Sequence, residues 1–486
     1  MPASGTSRRF SVGAAVLAVL AFNTAGVPQA APAKHTAKQA SKTVLKNDEE
    51  LTYVAPDPKA FVSSDTIDGW VKNFDDAAIR AHSYQIWGAL TAPTNQFYAV
   101  KTKSGQIVRS RLSVFDTWFD EYETFHTKSG APPNDSAHRL HAPRQGTGSG
   151  GGEVISFNKY SLEFKEYVDR NHYYGEQTLI DANNKFDSAC TALADRMAAP
   201  VVEQHAVMLK PTYYIVKRDR PTPMQYWKGP GLSVAGTTYS AVPTMPTWQQ
   251  IVAVDPTGKA KPDDTYTIKV LSPSQGFVTE TLKADAIVGL DHFYWFPLSA
   301  SDIAYIKGGN VFTINGVPPT KMEPGDLALL VGMHVTTNEF GSWTWQTFFW
   351  RPQAVTDAGP FVKPPFNNYD TAEAYYMVGA DGNPRITFNP YLETPIIGPT
   401  FMDQSMRGAD SNCMSCHHAA AFPTLNNSPS FADMLSGSYY SKGVVTGTEQ
   451  WFQNRIKTQF MWGEVMQNQG VGLPISTAPQ VCPAPH

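Results

Sequence analysis

Cysteine is scarce in this chain, with four in 486 residues, so a disulfide framework cannot be what holds most of it together. Charge is thin as well: Asp, Glu, Lys and Arg make up 17% of the chain. No long basic run occurs that could track a phosphate backbone, which excludes the usual footprint of a nucleic-acid partner. Beyond the first 33 residues no stretch is apolar over the ~20 residues that a helix needs to cross a bilayer, so no transmembrane segment is expected in the mature chain. No internal repeat signals a propeller or solenoid. Aromatics, by contrast, reach 12%, and there are 36 Gly and 37 Pro, the composition of a folded, loop-rich protein and far from that of a disordered one. At about 100–200 residues per domain, the length suggests two or three domains.

The N-terminus reads as a secretory signal over residues 1–33. Arg8 and Arg9 give a basic start, Val12 to Phe22 an apolar run, and Ala31-Pro32-Ala33 a small-residue cleavage pattern, with cleavage expected after Ala33. The apolar run is far shorter than a membrane anchor requires. Ser11 and Gly13 stand where twin-arginine export would have apolar residues, so general secretion fits better. Removing Arg8 and Arg9 with the leader takes the formal charge from −4 to −6. The expected location is the periplasm or another exported compartment. In such an oxidising setting Cys190 and Cys482 are expected to form a disulfide, two separately buried thiols being the alternative.

Periodicity suggests an α+β architecture with N-terminal helices, an antiparallel β-rich middle region and a small, mostly α-helical C-terminal domain. The expected divisions are 34–138, a helix and hairpin region; 139–153, a Gly-rich linker or loop; 154–384, mixed and then β-rich; and 385–486. Residues 34 to about 50 are polar and Lys-rich. Ser64-Asp65 reads as a capping pair ahead of Ile67, Trp70, Val71 and Phe74, and Ile79, His82, Ile86 and Leu90 continue a helical stripe to Pro93. His82 on that stripe reads as core. Gln96–Val100 and Gln106–Arg111 flank Lys103-Ser104-Gly105 as a hairpin. Helices are expected over Ser161–His172 and over Asp187–Met197, the second carrying Cys190. Strands are expected at Tyr213–Lys217, Gln249–Val254, Tyr266–Leu271, Leu327–Thr336 and Trp343–Trp350, all antiparallel. Pro360–Pro399 reads as a wrapping connection with little regular structure, and Thr448–Met466 as a helix presenting Phe452, Ile456, Phe460 and Gly463 on one face.

The chemistry is carried by Cys413-Met414-Ser415-Cys416-His417. Cys-x-x-Cys-His is the attachment signature for a c-type haem. Two thiols three residues apart on a helical turn reach the two vinyl-derived carbons of the porphyrin, and the adjoining His417 is directed beneath the ring as proximal iron ligand. A zinc half-site would want two further ligands, and Cys190 and Cys482 are scattered. A redox dithiol would open a helix in a thioredoxin-like βαβ unit, and none is evident.

The segment Asp410-Ser411-Asn412-Cys413-Met414-Ser415-Cys416-His417-His418 resembles the haem-binding segment of the cytochrome c superfamily. The resemblance covers about the last hundred residues. It implies one covalently attached haem c, with thioethers at Cys413 and Cys416 and the proximal bond at His417. It also implies a methionine as sixth ligand, from a loop ahead of a closing helix. Met434 lies only 17 residues beyond His417; Met461 falls opposite the face carrying Phe452 and Ile456, and Met466 shares that face. His418 adjoins the proximal ligand and cannot serve from the distal side. An upstream residue such as His334, or no sixth ligand, also stays open. Alternating Trp343, Trp345, Thr347 and Phe349 reads as a core-facing strand, although a β-domain laid over a haem edge could present His334 or one of these aromatics.

Three functions are compatible. The first is electron transfer between periplasmic redox partners, the second a peroxidase or oxygenase whose upstream β-rich region builds a substrate pocket, with His334 or His292 as its polar group. The third is a binding module in which the haem is an accessory. The single attachment motif argues against a dihaem peroxidase.

Overall fold

The structure, a computed structural model, describes residues 51–126, 154–173, 176–196, 205–227, 250–272, 276–308, 315–382, 385, 387–393, 413–418, 420–422, 452 and 454–461. These residues belong to one unit covering 44–486. The expected signal segment, the Gly-rich stretch 139–153, Met434, Met466 and Cys482 lie outside the described residues.

Helix α1 (Ser64–Asn73) begins one residue later than its cap: Ser63, and not the Ser64-Asp65 pair, is the N-cap, its Oγ accepting the Thr66 amide at 3.3 Å. The helix stops at Phe74, whose φ of 52° is left-handed. Asp75 then caps α2 (Asp76–Leu90), whose Ile79, His82, Ile86 and Leu90 are all buried, as the stripe predicts. His82 is a core residue, its Nδ1 2.8 Å from the Tyr375 hydroxyl. The hairpin of β1 (Pro93–Lys101) and β2 (Ile107–Ser113) turns at Gly105, whose φ of 86° suits glycine.

The main sheet starts with β3 (Phe119–Asp120), followed by α3 (Glu121–His126), β4 (Val154–Ser156) and β5 (Lys159–Tyr160). Helix α4 (Leu162–Asn171) follows, and the Ser161 hydroxyl before it accepts the Val207 amide at 3.1 Å, tying the helix to β6 (Val207–Val216). The expected helix over 187–197 is corrected. Helix α5 spans Glu176–Ser188, and the chain leaves it through Cys190 at a φ of 52°, with the Thr191 amide donating back to the Phe186 carbonyl.

A three-stranded sheet is built from β7 (Thr222–Gln225), β8 (Ile251–Val254) and, past the hairpin of β9 (Thr265–Ser272) and β10 (Gly276–Lys283), β11 (Ala286–Val288). Here β8 and β11 run parallel, an exception to the expected antiparallel pairing. Then come β12 (Trp295–Pro297), α6 (Ala300–Gly308), β13 (Leu327–Thr337), β14 (Thr344–Trp350) and β15 (Tyr369–Glu373). The main sheet is antiparallel in the order β15-β14-β13-β6-β5-β3, with β12 on β13 and β4 on β6. Strand β15 corrects the irregular reading of 360–399. It hides behind its acidic residues: Asp370 and Glu373 are buried and face Arg80, and Asp370 also meets Arg351 and Glu373 meets Arg385.

One face of this sheet packs on α2, where Trp87 stacks on Phe348 with ring centroids 4.2 Å apart. A second apolar cluster joins α3, α4 and α5 to Trp343, Trp345, Cys413, Met414, Phe422, Ile456 and Met461. The C-terminal part contributes α7 (Pro390–Glu393), α8 (Cys413–His417), β16 (Ala421–Phe422) and β17 (Ile456–Lys457). The helix expected over 448–466 does not form across 454–461. Asn454, Gln459 and Phe460 have φ values of 61°, 47° and 71°, which a right-handed helix does not admit, and Ile456-Lys457 pairs instead with Phe422-Ala421. Among the described residues no helix is long and apolar enough to cross a membrane.

Candidate functional site

Helix α8 is the Cys-x-x-Cys-His segment itself, and it lies on β14. Cys413 is buried and not in a disulfide, and Met414 beside it is buried. Three hydrogen bonds hold the chain after the motif: the His418 amide to the Met414 carbonyl, the Ala420 amide to the His417 carbonyl, and the Thr458 amide to the Ala420 carbonyl. The last of these and the β16–β17 pairing bring Phe460 against the motif. The left-handed turn at Gln459-Phe460 then presents the Phe460 carbonyl 2.7 Å from Nδ1 of His417. A carbonyl oxygen only accepts, so Nδ1 carries the proton and Nε2 is the nitrogen left for a metal. The His417 ring leans on the Trp345 indole at 4.3 Å between centroids, and the His418 ring stacks on Phe460 at 4.1 Å.

The sheet beneath carries a second set of polar residues. Directly paired residues on adjacent strands point to the same side. His334 on β13 pairs with Lys210 on β6 and Thr347 on β14; one step along, Thr336 pairs with Met208 and Trp345. Met208, Lys210, His334 and Trp345 therefore share one face. Along β6, β13 and β14 every residue is buried except Met208, Lys210 and His334. The three incompletely covered residues of three central strands thus adjoin one another, on the face where His417 meets Trp345. Burial, with Lys210 and His417 adding to it, depresses the His334 imidazole to about 3. Burial likewise brings His417 to about 4, against the Phe460 hydrogen bond, which favours the proton, and with Lys210 disfavouring it. Both rings are neutral at neutral pH, the form that ligates a metal.

The donor set of α8 fits a covalently attached haem. Metal-bound imidazoles characteristically donate their second N–H to a carbonyl or carboxylate, which fixes the tautomer and raises ligand basicity, and His417 does so with Phe460. Cys413 is not in a disulfide, as a thioether bond requires; the side chain of Cys416 is not described. Cys190 is disulfide-bonded, and Cys413 is not its partner. Among the described residues no three His, Cys, Asp or Glu side chains are grouped to hold a bare metal ion.

Of the residues singled out by sequence, Cys413 and His417 meet on α8, and His334 shares the sheet face that the motif covers. His292 is elsewhere: it ends a short 3-10 turn, and its carbonyl accepts the Trp350 indole N–H at 2.9 Å. Sequence reasoning missed the Phe460 carbonyl, which no side-chain pattern encodes, and it missed Lys210 and Met208. The alternating aromatic strand did carry a signal for Trp345. Comparisons with protein-family models, with curated proteins and with solved structures find no match to this chain.

Proposed function

We propose that this chain is an exported c-type cytochrome, carrying one haem c on Cys413 and Cys416 with His417 as proximal ligand, and that it transfers electrons between redox partner proteins. The observation that carries the reading is the 2.7 Å hydrogen bond from His417 Nδ1 to the Phe460 carbonyl, on the helix whose Cys413 is not in a disulfide. The haem, once attached, supplies a reversible one-electron couple. The chain's own residues supply the rest. Phe460 sets the tautomer of His417, Trp345 backs its ring, and the apolar cluster around Met414 and Ile456 shields that side from water. Packing of the motif against β14 also gives the long upstream region a part in the site, which a small carrier of about a hundred residues would not need.

The test is a denaturing gel stained for haem, run on protein exported from cells able to attach haem. The full chain should stain, and the Cys413→Ala, Cys416→Ala double variant should not; stain surviving in the double variant sinks the assignment. His417→Ala should retain the stain and lose the low-spin absorption spectrum. For the stained protein, a reversible one-electron potentiometric titration supports a carrier.

A further inference from the structure

We propose that His334, on the central strand β13, is the distal axial ligand of this haem, so that the β-sheet supplies one side of the iron's coordination and α8 the other. The inference rests on the haem reading above and deepens it.

Three observations support it. First, His334 is the only residue of β13 that is not fully covered, in a strand otherwise covered on both faces, and its Nδ1 is buried on the side of the sheet that carries Trp345. Second, that position is next to the motif. His334 sits on the strand adjacent to Trp345, one diagonal step away in the register, a Cα separation of about 7–8 Å. The Trp345 indole in turn contacts the His417 ring. Third, among the described residues three other ligand-type side chains near the motif are badly placed. Met461 follows Phe460 directly, and its amide donates to the Thr458 carbonyl, so it belongs to the turn on the Nδ1 side of His417, behind the ligating nitrogen. His418 stacks on Phe460, on that same side. Met208 is two strands from Trp345 and packs into the apolar cluster with Tyr160 and Phe164. His334 offers an imidazole on the face where the motif meets Trp345. Lys210, its cross-strand partner, adds a cation at the same edge, suited to a propionate.

Two imidazoles give a low-spin iron with both axial positions filled, which suits electron transfer and closes the iron to small ligands. The experiment uses the haem-loaded full chain. Its near-infrared magnetic circular dichroism should carry the charge-transfer band of a bis-imidazole haem, and the ferrous protein should not bind carbon monoxide. The His334→Ala variant should keep covalent haem stain, turn high-spin and bind carbon monoxide promptly, and added imidazole should restore the low-spin spectrum. A wild-type band of the imidazole–thioether or imidazole–amine type overturns the proposal, and that spectrum decides even if the variant fails to fold. A low-spin His334→Ala spectrum that ignores carbon monoxide overturns it too. Absence of haem stain from the wild type would instead remove the haem reading itself, and this proposal with it.

Discussion

The Nδ1 of His417 and the backbone carbonyl of Phe460, 43 residues apart in sequence, lie 2.7 Å apart. A bond to main-chain oxygen cannot be deleted by trimming a side chain, so its strength depends on how firmly the turn at Gln459-Phe460 is held. The Phe460 ring holds it by stacking on His418 at 4.1 Å and meeting Trp345 edge-on at 6.4 Å. Phe460→Gly removes both contacts without straining the backbone, because a φ of 71° suits glycine. On the haem reading proposed above, the loosened hydrogen bond would make His417 a weaker donor to the iron, which stabilises the oxidised state less. The midpoint potential measured by spectroelectrochemical titration should therefore rise while haem stain is unchanged; an unchanged or lower potential counts against this role of Phe460.

Trp345 is both wall and scaffold. It is 4% exposed, its indole N–H donates to the Ser342 carbonyl at 2.9 Å, and its other face meets the His417 ring. Trp345→Ala should cost about 3–5 kcal/mol of stability in denaturant unfolding, the usual range for emptying an aromatic site. Trp345→Phe keeps most of the volume and should lose far less. Equal losses in the two variants would mean that the indole N–H, rather than the ring's bulk, dominates.

Much of this was legible in the sequence, and the parts that were not share a physical cause. The α1 and α2 stripes, the Gly105 hairpin and strands β13 and β14 follow from side-chain period, and period is local. Cys413 to His417 stands out in the sequence because haem attachment, the chemistry proposed for it, demands a fixed spacing. Strand β15 was not, since Tyr-Asp-Thr-Ala-Glu lacks alternation until Arg80, Arg351 and Arg385, from elsewhere in the chain, neutralise its acids. The turn at 459–460 was read as helix because its apolar spacing fits one; its left-handed backbone answers to pairing with β16, a long-range event. The adjacency of Met208, Lys210 and His334 is likewise a matter of register between strands that are more than a hundred residues apart.

Gly332 lies two residues before His334 on the same face of β13. A Cβ there would come within 2.8 Å of Nδ2 and 2.9 Å of Oδ1 of Asn389, whose Nδ2 donates to Thr347 Oγ1 at 2.8 Å and to the Phe348 carbonyl at 2.9 Å. Gly332→Ala must push that amide off β14. We expect a loss of about 1–3 kcal/mol by thermal or denaturant unfolding, typical of overpacking. A neutral result would show that Asn389 moves aside without losing its bonds.

Glu373 gives the fold a pH dependence of unusual sign. Burial raises its carboxyl to about 7; Arg80 and Arg385 oppose the rise, and Asp370 and Asp76 add to it. Below the ordinary value of 4.5 the group is protonated folded and unfolded alike. Between there and about 7 only the folded chain keeps the proton, so this group's contribution to stability falls as pH rises through that window, and the full cost persists above it. Denaturant midpoints for Glu373→Gln should lack this decline. A variant that tracks the wild type across the window would assign the decline to another group.

Cys190 is disulfide-bonded and Cys413 is not its partner, so with four cysteines in the chain its partner is Cys416 or Cys482. Its surroundings are close to the motif: α5 packs on β17, the Asn183 amide donates to the Asn454 carbonyl at 2.9 Å, and the Lys457 amide donates to the Arg196 carbonyl at 3.2 Å. The haem reading requires Cys416 as a second thioether, and so assigns the bond to Cys190 and Cys482. Non-reducing peptide mapping of the exported protein should then recover a Cys190–Cys482 cross-linked pair, together with a haem-bearing peptide containing both Cys413 and Cys416. Recovery of Cys190–Cys416 would leave at most one thioether, at Cys413. By the same logic, Cys482→Ser should lower stability by about 2–5 kcal/mol, the usual loss on removing a native disulfide, without reducing haem stain. Cys416→Ser should weaken or abolish the stain and leave the Cys190 bond intact.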